Sequence, residues 1–298
     1  MSVTLFSVTP EFAAEIGDID LSQPISEQDL ETIKRAFWKY SVLILPGQSL
    51  DQDQHLAFAS LFGPLEAGTQ IGRGGKPLRL RRELADVSNV DAAGNLLEPD
   101  SRLREYQLGN RLWHTDASFR RVPALASLLY ANTVVPVGGH TEFADQRAAY
   151  DALPGATKRR LAGMVAEHSI FTSRQRVGMN DFTAQELASL PPVPQVIVRT
   201  IPESGRKTLY VAAHAGRIFG MSGSEGRALI DQLIGHVTQR QFVYTHRWRV
   251  NDLVIWDNRC TMHRGTEFDD MRWKRDMQRA TVLDRANSCE QEGVPIPA

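Results

Sequence analysis

The sequence predicts a mainly β protein, a strand core flanked by helices, and three observations carry the prediction. Short runs rich in branched and aromatic residues recur along the chain, bounded by glycine, proline, asparagine or aspartate, as in SVLILPG at 41–47 and DLVIWDN at 252–258. Segments with a helical apolar period are fewer, and they sit near the start or between strands. No regular strand–helix alternation and no internal repeat is visible, so a parallel βαβ sheet is not expected.

Residues 1–20 read as one or two short strands. Ser26 then precedes Leu30, Ile33 and Phe37 with acidic residues in the first turn, the pattern of a capped helix. SVLILPG is a buried strand stopped by Pro46-Gly47, and Asp51 to Phe62 is a second helix. Residues 67–84 mix four glycines (68, 72, 74, 75) with Arg73, Lys76, Arg79, Arg81 and Arg82, and read as an exposed, mobile loop. ELADVSNVDAAGNL, SLLYANTVV and HTEFAD follow as strands joined by turns. Residues 145–163 are helical with a Pro154-Gly155 break, VAEHSIF is a strand, and 178–195 is a proline-containing insertion. QVIVRT and KTLYVAAH pair around a turn at 203–205. Ser222 to His236 is an amphipathic helix. FVYTHRWRV and DLVIWDNRC read as a hairpin about Asn251-Asp252, and RATVLD is the last strand. The tail after about 286 is polar and reads as loose. No boundary divides the 298 residues, so one domain is expected.

Bulk properties exclude several functions. The hydrophobic fraction is 42%, enough for a sizeable core, and the formal net charge is -1. That balance argues against non-specific nucleic-acid binding, which needs excess positive charge. No apolar stretch reaches membrane-spanning length, and the N-terminus lacks the pattern of a secretory leader, so a cytoplasmic protein without membrane contact is expected. Cys260 and Cys289 suggest no disulfide framework.

The strongest local signal is Trp113-His114-Thr115-Asp116. Residues two apart on an extended segment share a face, so His114 and Asp116 can converge on one metal ion. The best third donor is His263, which follows the strand DLVIWDN and so sits at a strand end. Two histidines and one carboxylate suit Fe(II) and leave open positions on the ion. His-x-Asp alone recurs by chance, and an aspartate beside a core or capping histidine is its plain alternative. Of the other histidines, His55 reads as a helix-surface residue, and none has a carboxylate as well placed as Asp116. Downstream, Arg275, Met277 and Arg279 alternate as on a strand, so the two arginines can share one face and clamp an acidic molecule, or else simply be solvated.

Taken in order, WHTD, HTEF, WDNRCTMHRG and RWKRDMQRATV resemble the taurine dioxygenase/TfdA family of Fe(II)- and 2-oxoglutarate-dependent dioxygenases, over about residues 8–284. ELADVSNV, TEFADQRAAYDALP and FVYTHRW add to the resemblance, which is greatest to the branch that cleaves 2,4-dichlorophenoxyacetate. The resemblance implies a double-stranded β-helix, or jelly roll, with His114, Asp116 and His263 as iron ligands. It implies that Arg275 pairs with the distal carboxylate of 2-oxoglutarate and that the Thr141 hydroxyl assists. Arg279 would lie near the substrate's anionic group, Asn110 would line the pocket, and His214 matches a histidine of the herbicide branch. Arg73 lies in the loop that covers the pocket, offset from the family's basic residue. Phe171 and Arg174 are open between pocket lining and plain core or surface.

The implied reaction consumes O2 and 2-oxoglutarate, releases succinate and CO2, and splits an aryloxyacetate into a phenol and glyoxylate. An alkylsulfonate such as taurine, a sulfate ester or another small carboxylate is the alternative substrate. A zinc hydrolase and a metal-free binding protein are alternatives of another class. The family also implies a homodimer or larger homo-oligomer.

Overall fold

The computed structural model describes residues 3–68 and 78–297. Arg73 lies outside the described residues. Strands β1 (Thr4–Ser7) and β2 (Ala13–Gly17) open the chain. Helix α1 (Glu27–Tyr40) starts where Ser26 accepts from the Asp29 amide, and it ends at Ser41, whose φ is 64°. Strand β3 (Val42–Leu45) leads to α2 (Gln52–Ser60), which Asp51 and Gln54 cap reciprocally. Next come β4 (Leu84–Asp86), α3 (Arg102–Leu108), β5 (Ala124–Thr133) and β6 (Thr141–Asp145). Helices α4 (Gln146–Asp151) and α5 (Gly155–Leu161) precede β7 (Val165–His168), α6 (Ile170–Gln175) and α7 (Ala184–Ser189). The short strands β8 (Val193–Val196), β9 (Val198–Thr200), β10 (Lys207–Leu209) and β11 (Ala215–Ile218) lead into α8 (Gly223–Val237). Strands β12 (Val243–His246), β13 (Leu253–Asp257), β14 (Thr261–Gly265) and β15 (Asp276–Leu283) and helix α9 (Ser288–Glu292) complete it.

A seven-stranded major sheet runs β1-β2-β3-β13-β5-β15-β4, antiparallel except for β2 beside β3. Its neighbours are the three-stranded sheets β12-β6-β14 and β11-β7-β8 and the pair β10-β9. Strands β3 and β13 and the middle of β5 alternate between two cores. Leu43, Leu45, Leu128, Tyr130, Leu253 and Ile255 pack on α1 and α2, through residues such as Ile33, Phe37 and Phe58. Val42, Ile44, Leu129, Val254, Trp256 and Met277 face inward, against Phe143 of β6. Burial on both faces explains why these strands read as continuous apolar runs rather than as alternation. Strands of two facing sheets, with helices outside, make the double-stranded β-helix flanked by helices.

This packing decides where chemistry can sit. Just before and along β15 the inward set is Arg275, Met277, Arg279 and Thr281, and the two arginines line one interior cavity. On β13 and just beyond it, Trp256 and Asn258 follow the same alternation. Gly138 and Gly139, at φ 75° and 63°, make the left-handed turn that delivers Thr141 to the start of β6.

Several expectations need correction. FVYTHRWRV and DLVIWDNRC are not a hairpin: β12 pairs with β6, whereas β13 pairs with β3 and β5. The turn between them carries the chain from one sheet to the other. VAEHSIF ends as a strand at His168, because Ser169 caps α6. The tail is not loose after 286. Asn287 donates to the carbonyls of Arg121 and Pro194, Ser288 hydrogen-bonds Gln195, and Cys289 is buried. His246 does have a carboxylate, Asp252 at 3.1 Å, in the same turn. His55 is not on the surface. It is fully buried beneath the major sheet, its Nε2–H donating to the Leu128 carbonyl (3.1 Å) while Nδ1 accepts from Gln278.

Burial holds the His55 pKa down at about 4, against a partial lift from the Leu128 carbonyl. His168, also buried, lies lower still, at about 3. The unfolded chain takes up these protons near pH 6.5 and the folded chain refuses them. Stability therefore falls as pH drops from about 6.5 towards 4, by roughly 3 kcal/mol from His55 once complete. Urea unfolding across that window should show a smaller loss in His55→Gln than in the parent chain. An equal loss in both would refute the assignment.

Candidate metal centre

The centre begins with a backbone contact. His114 and His263 form an isolated antiparallel bridge, exchanging N–H···O bonds of 2.9 and 2.7 Å. Their rings meet at 4.2 Å between centroids. Asp116 lies two residues beyond His114, with one carboxylate oxygen 3.8 Å from His114 Nε2 and the other 3.6 Å from His263 Nε2. One donor atom from each residue falls within 4.8 Å of the others, and all three residues are buried.

The protonation states fit a metal. His114 Nδ1–H donates to the Leu112 carbonyl at 2.7 Å, which leaves the Nε2 lone pair for an ion. Burial lowers the His114 pKa to about 4, so the ring is neutral near pH 7. Burial, and next the charge of His114, hold His263 well below the ordinary histidine value. His263 is fixed by packing, its ring 4.6 Å from that of Trp256. Burial pushes the Asp116 carboxyl up, but Arg279, the two histidines and Ser127 more than offset it, and the group stands below the usual range. Two neutral imidazoles and one carboxylate are a donor set for Fe(II).

Groups that sequence reading did not single out hold Asp116. Ser127 donates to Oδ2 at 2.7 Å. Asn258 Oδ1 accepts from the Asp116 amide (3.0 Å) and from the Trp256 indole (3.0 Å), and Asn258 Nδ2 donates to Ser127 (2.9 Å). The available signal was alternation: Ser127 is a lone polar residue in an apolar run, and Asn258 continues the inward face of Trp256. Ala117, next to the ligand, sits at φ 52°, a region that side chains seldom adopt.

Two cavities meet at this centre. Thr141, Trp256, His263 and Arg275 line one, and Asp116, Tyr106, Arg174 and His214 line the other. His114, Asn110 and Arg279 border both. In the first, Arg275 is buried with no carboxylate partner among the described residues, and burial pulls its guanidinium down to about 10. Thr141 accepts from the Trp248 indole at 2.9 Å. In the second, Arg279 pairs with the ligand Asp116 itself, at 2.5 Å. His214 stands edge-on to His114, 5.9 Å between centroids. Phe171 packs in an apolar cluster with Phe119, Ile170 and Leu190.

A jelly roll that aims two histidines and a carboxylate at one point, beside a buried arginine, is the frame of a 2-oxoglutarate-dependent non-haem iron dioxygenase. Comparison with known proteins agrees. Residues 4–281 match the model of the taurine catabolism dioxygenase TauD, TfdA family, and the chain belongs to that family. It is 45% identical to the alpha-ketoglutarate-dependent 2,4-dichlorophenoxyacetate dioxygenase of Cupriavidus pinatubonensis, over 96% of this chain and 99% of that one. It is 35% identical to the (S)-phenoxypropionate/alpha-ketoglutarate-dioxygenase of Sphingobium herbicidovorans, over 89% and 90%. The crystal structure of AAD-2 in complex with Mn(II) and N-oxalylglycine superposes with a TM-score of 0.89 at 42% identity, covering 97% of this chain and 99% of that chain.

Replacing Asp116 with alanine should abolish Fe(II) binding, measured by metal titration. Ser127→Ala, which removes only the hydroxyl on Oδ2, should weaken the ion by about tenfold while the protein stays folded. Unchanged affinity in Ser127→Ala would show that the hydroxyl does not set the ligand.

Proposed function

We propose that this dioxygenase hydroxylates an aryloxyacetate such as 2,4-dichlorophenoxyacetate at the carbon between the ether oxygen and the carboxylate. The product is a hemiacetal, which collapses to a phenol and glyoxylate. The observation that carries the reading is the larger cavity beside the metal centre. It joins an apolar wall of Leu84, Leu103, Phe119 and Ile170 to basic side chains, as a flat ring bearing an acid requires. The relative from Cupriavidus, named for that reaction, supports the same reading. When bound, iron, 2-oxoglutarate and O2 supply the oxidising power, with succinate and CO2 as co-products.

The chain's own residues bind, orient and exclude water. Arg275 takes the distal carboxylate of 2-oxoglutarate, and Thr141 assists. Thr141 accepts its hydrogen bond from Trp248 and so has its own hydrogen to donate to that carboxylate. Arg275 suits the role because its buried charge has no carboxylate partner among the described residues. AAD-2 binds N-oxalylglycine, which has the 2-oxoglutarate skeleton with an N–H replacing one methylene, and this supports the assignment. Arg279, Asn110 and His214 border the substrate cavity and shape it. The family resemblance also supports a homodimer or larger homo-oligomer, which sedimentation can read.

Given Fe(II), ascorbate and 2-oxoglutarate, phenol release from 2,4-dichlorophenoxyacetate should far exceed sulfite release from taurine. The reverse ranking refutes the aryloxyacetate reading. Arg275→Gln should raise the KM for 2-oxoglutarate roughly 10- to 100-fold, the worth of a hydrogen bond to a charged group. An unchanged KM would remove Arg275 from the co-substrate site.

A further inference from the structure

Arg275 stands one residue before β15, at the point where the major sheet stops holding the chain. Asp276, opposite Thr133, is the first residue of β15, and the pairing with β5 is already irregular between Asp276 and Met277. On the other side, β4 ends at Asp86, opposite Gln278. A clamp for a carboxylate needs a fixed direction, and the Arg275 side chain has little to fix it. Among the described residues its guanidinium makes one hydrogen bond, a long one, from Nη1 to the Val87 carbonyl at 3.5 Å.

The backbone of Arg275 is held by a single residue, Asn89. The Asn89 amide donates to the Arg275 carbonyl (3.1 Å), as in an antiparallel ladder. The return bond is different. The Asn89 carbonyl is taken by the Leu97 amide (2.9 Å), and the Arg275 amide donates to the side chain of Asn89, Oδ1, at 2.7 Å. The carboxamide thus replaces a rung that the sheet has lost. Its Nδ2 donates twice more, to the carbonyls of Asp270 (2.8 Å) and Trp273 (2.9 Å). Only one orientation of the amide meets one N–H and two carbonyls.

Those two carbonyls belong to the turn that brings the chain to Arg275. The amides of Arg272 and Trp273 close it on the Asp269 carbonyl (3.2 and 2.9 Å). On its outer side the Asp270 carboxylate takes Arg104 (3.0 Å) and Arg111 (3.1 Å), in ion pairs that are partly exposed. On its inner side Asn89, 8% exposed, ties the turn and Arg275 together. Asn89 does not line the cavity bordered by Thr141, His263 and Arg275, so any effect it has on a molecule there passes through Arg275.

We propose that Asn89 is the positioning residue of the co-substrate clamp: its carboxamide fixes the backbone of Arg275 and so aims the guanidinium at the distal carboxylate of 2-oxoglutarate. The proposal rests on the reading above that Arg275 takes that carboxylate. A charge-assisted hydrogen bond is strong only when it is well aimed, so a loosened backbone is felt as lost affinity. A neutral amide suits the place. It offers one acceptor and two donors, whereas an aspartate would set its charge against two carbonyl oxygens.

The test is equilibrium binding to the anaerobic Fe(II)-loaded chain, by calorimetry. The probes are 2-oxoglutarate and 2-oxopentanoate, in which a methyl group replaces the distal carboxylate. The ratio of the two affinities reads the clamp. Asn89→Ala should weaken 2-oxoglutarate by roughly tenfold and 2-oxopentanoate by less than about twofold. Asn89→Ser, whose hydroxyl keeps part of the bonding, should fall between, and it carries the same comparison if the alanine variant does not fold. Ser88→Ala is the control. Ser88 bonds the amide and carbonyl of Met277 (3.0 and 3.1 Å) and leaves Arg275 alone, so its loss should lower the melting temperature and not the ratio. With Arg275→Gln already in place, Asn89→Ala should cost 2-oxoglutarate nothing more, because the residue it acts through is gone. An unchanged ratio in Asn89→Ala, the same fall in Ser88→Ala, or a full tenfold loss on top of Arg275→Gln overturns the proposal and leaves the role of Arg275 standing. If Arg275→Gln itself does not change the ratio, the reading of Arg275 fails and the proposal falls with it.

Discussion

Asp116 is an ionised carboxylate in a dry interior, and such a group persists only if charge and hydrogen bonds meet it on every side. Here the partners come from three strands of the major sheet or their ends. Ser127 belongs to β5, Asn258 follows β13, and Arg279 belongs to β15. Ser127 stands directly opposite both Trp256 and Thr281 in the sheet register. The geometry of the carboxylate is therefore a property of the assembled sheet, not of the short segment that carries it. The two imidazoles stay neutral for the same reason that Asp116 needs support, because burial disfavours their charged forms.

The arginines show how one residue type serves two ends. Arg199 and Asp284 lock distant segments together, whereas Arg147 and Arg259 pair with aspartates two residues away and reach distant segments through the Glu11 and Lys39 carbonyls and through Glu203. Arg174 and Arg275 have no carboxylate within ion-pair distance among the described residues, and each lines a cavity beside the metal centre. The Arg174 guanidinium lies over the Tyr106 ring and against Gly109 at the end of the same helix, and it bonds the neighbouring Ser173 of its own helix.

Much of the molecule was legible in the sequence because alternation and capping are local rules. Ser26, Asp51 and Ser222 mark helix starts that the structure keeps, and SVLILPG announces a strand buried on both faces. The metal triad was legible because His114-x-Asp116 needs only an extended backbone, and because His263 stands on a strand. What failed depends on non-local pairing. The 242–260 segment looked like a hairpin, since nothing local records that β12 and β13 belong to different sheets. His55 looked exposed, since its partners Leu128 and Gln278 lie far along the chain. Asn258 and Ser127 were missed because a polar residue in an apolar run is informative only once its partner is known.

The direct pairing of His114 with His263 has one more consequence. These residues lie far apart along the chain, yet they touch through their backbones at the place where an ion is gripped. An ion bound there acts as a removable staple between two distant stretches of chain. It recognises only the closed arrangement, so its occupancy adds to the stability of the fold in proportion to the logarithm of free metal concentration. Strand pairing and metal loading thus reinforce each other. Iron supply then sets how much catalyst is ready to work, and also what fraction of the molecules is held closed against opening and proteolysis.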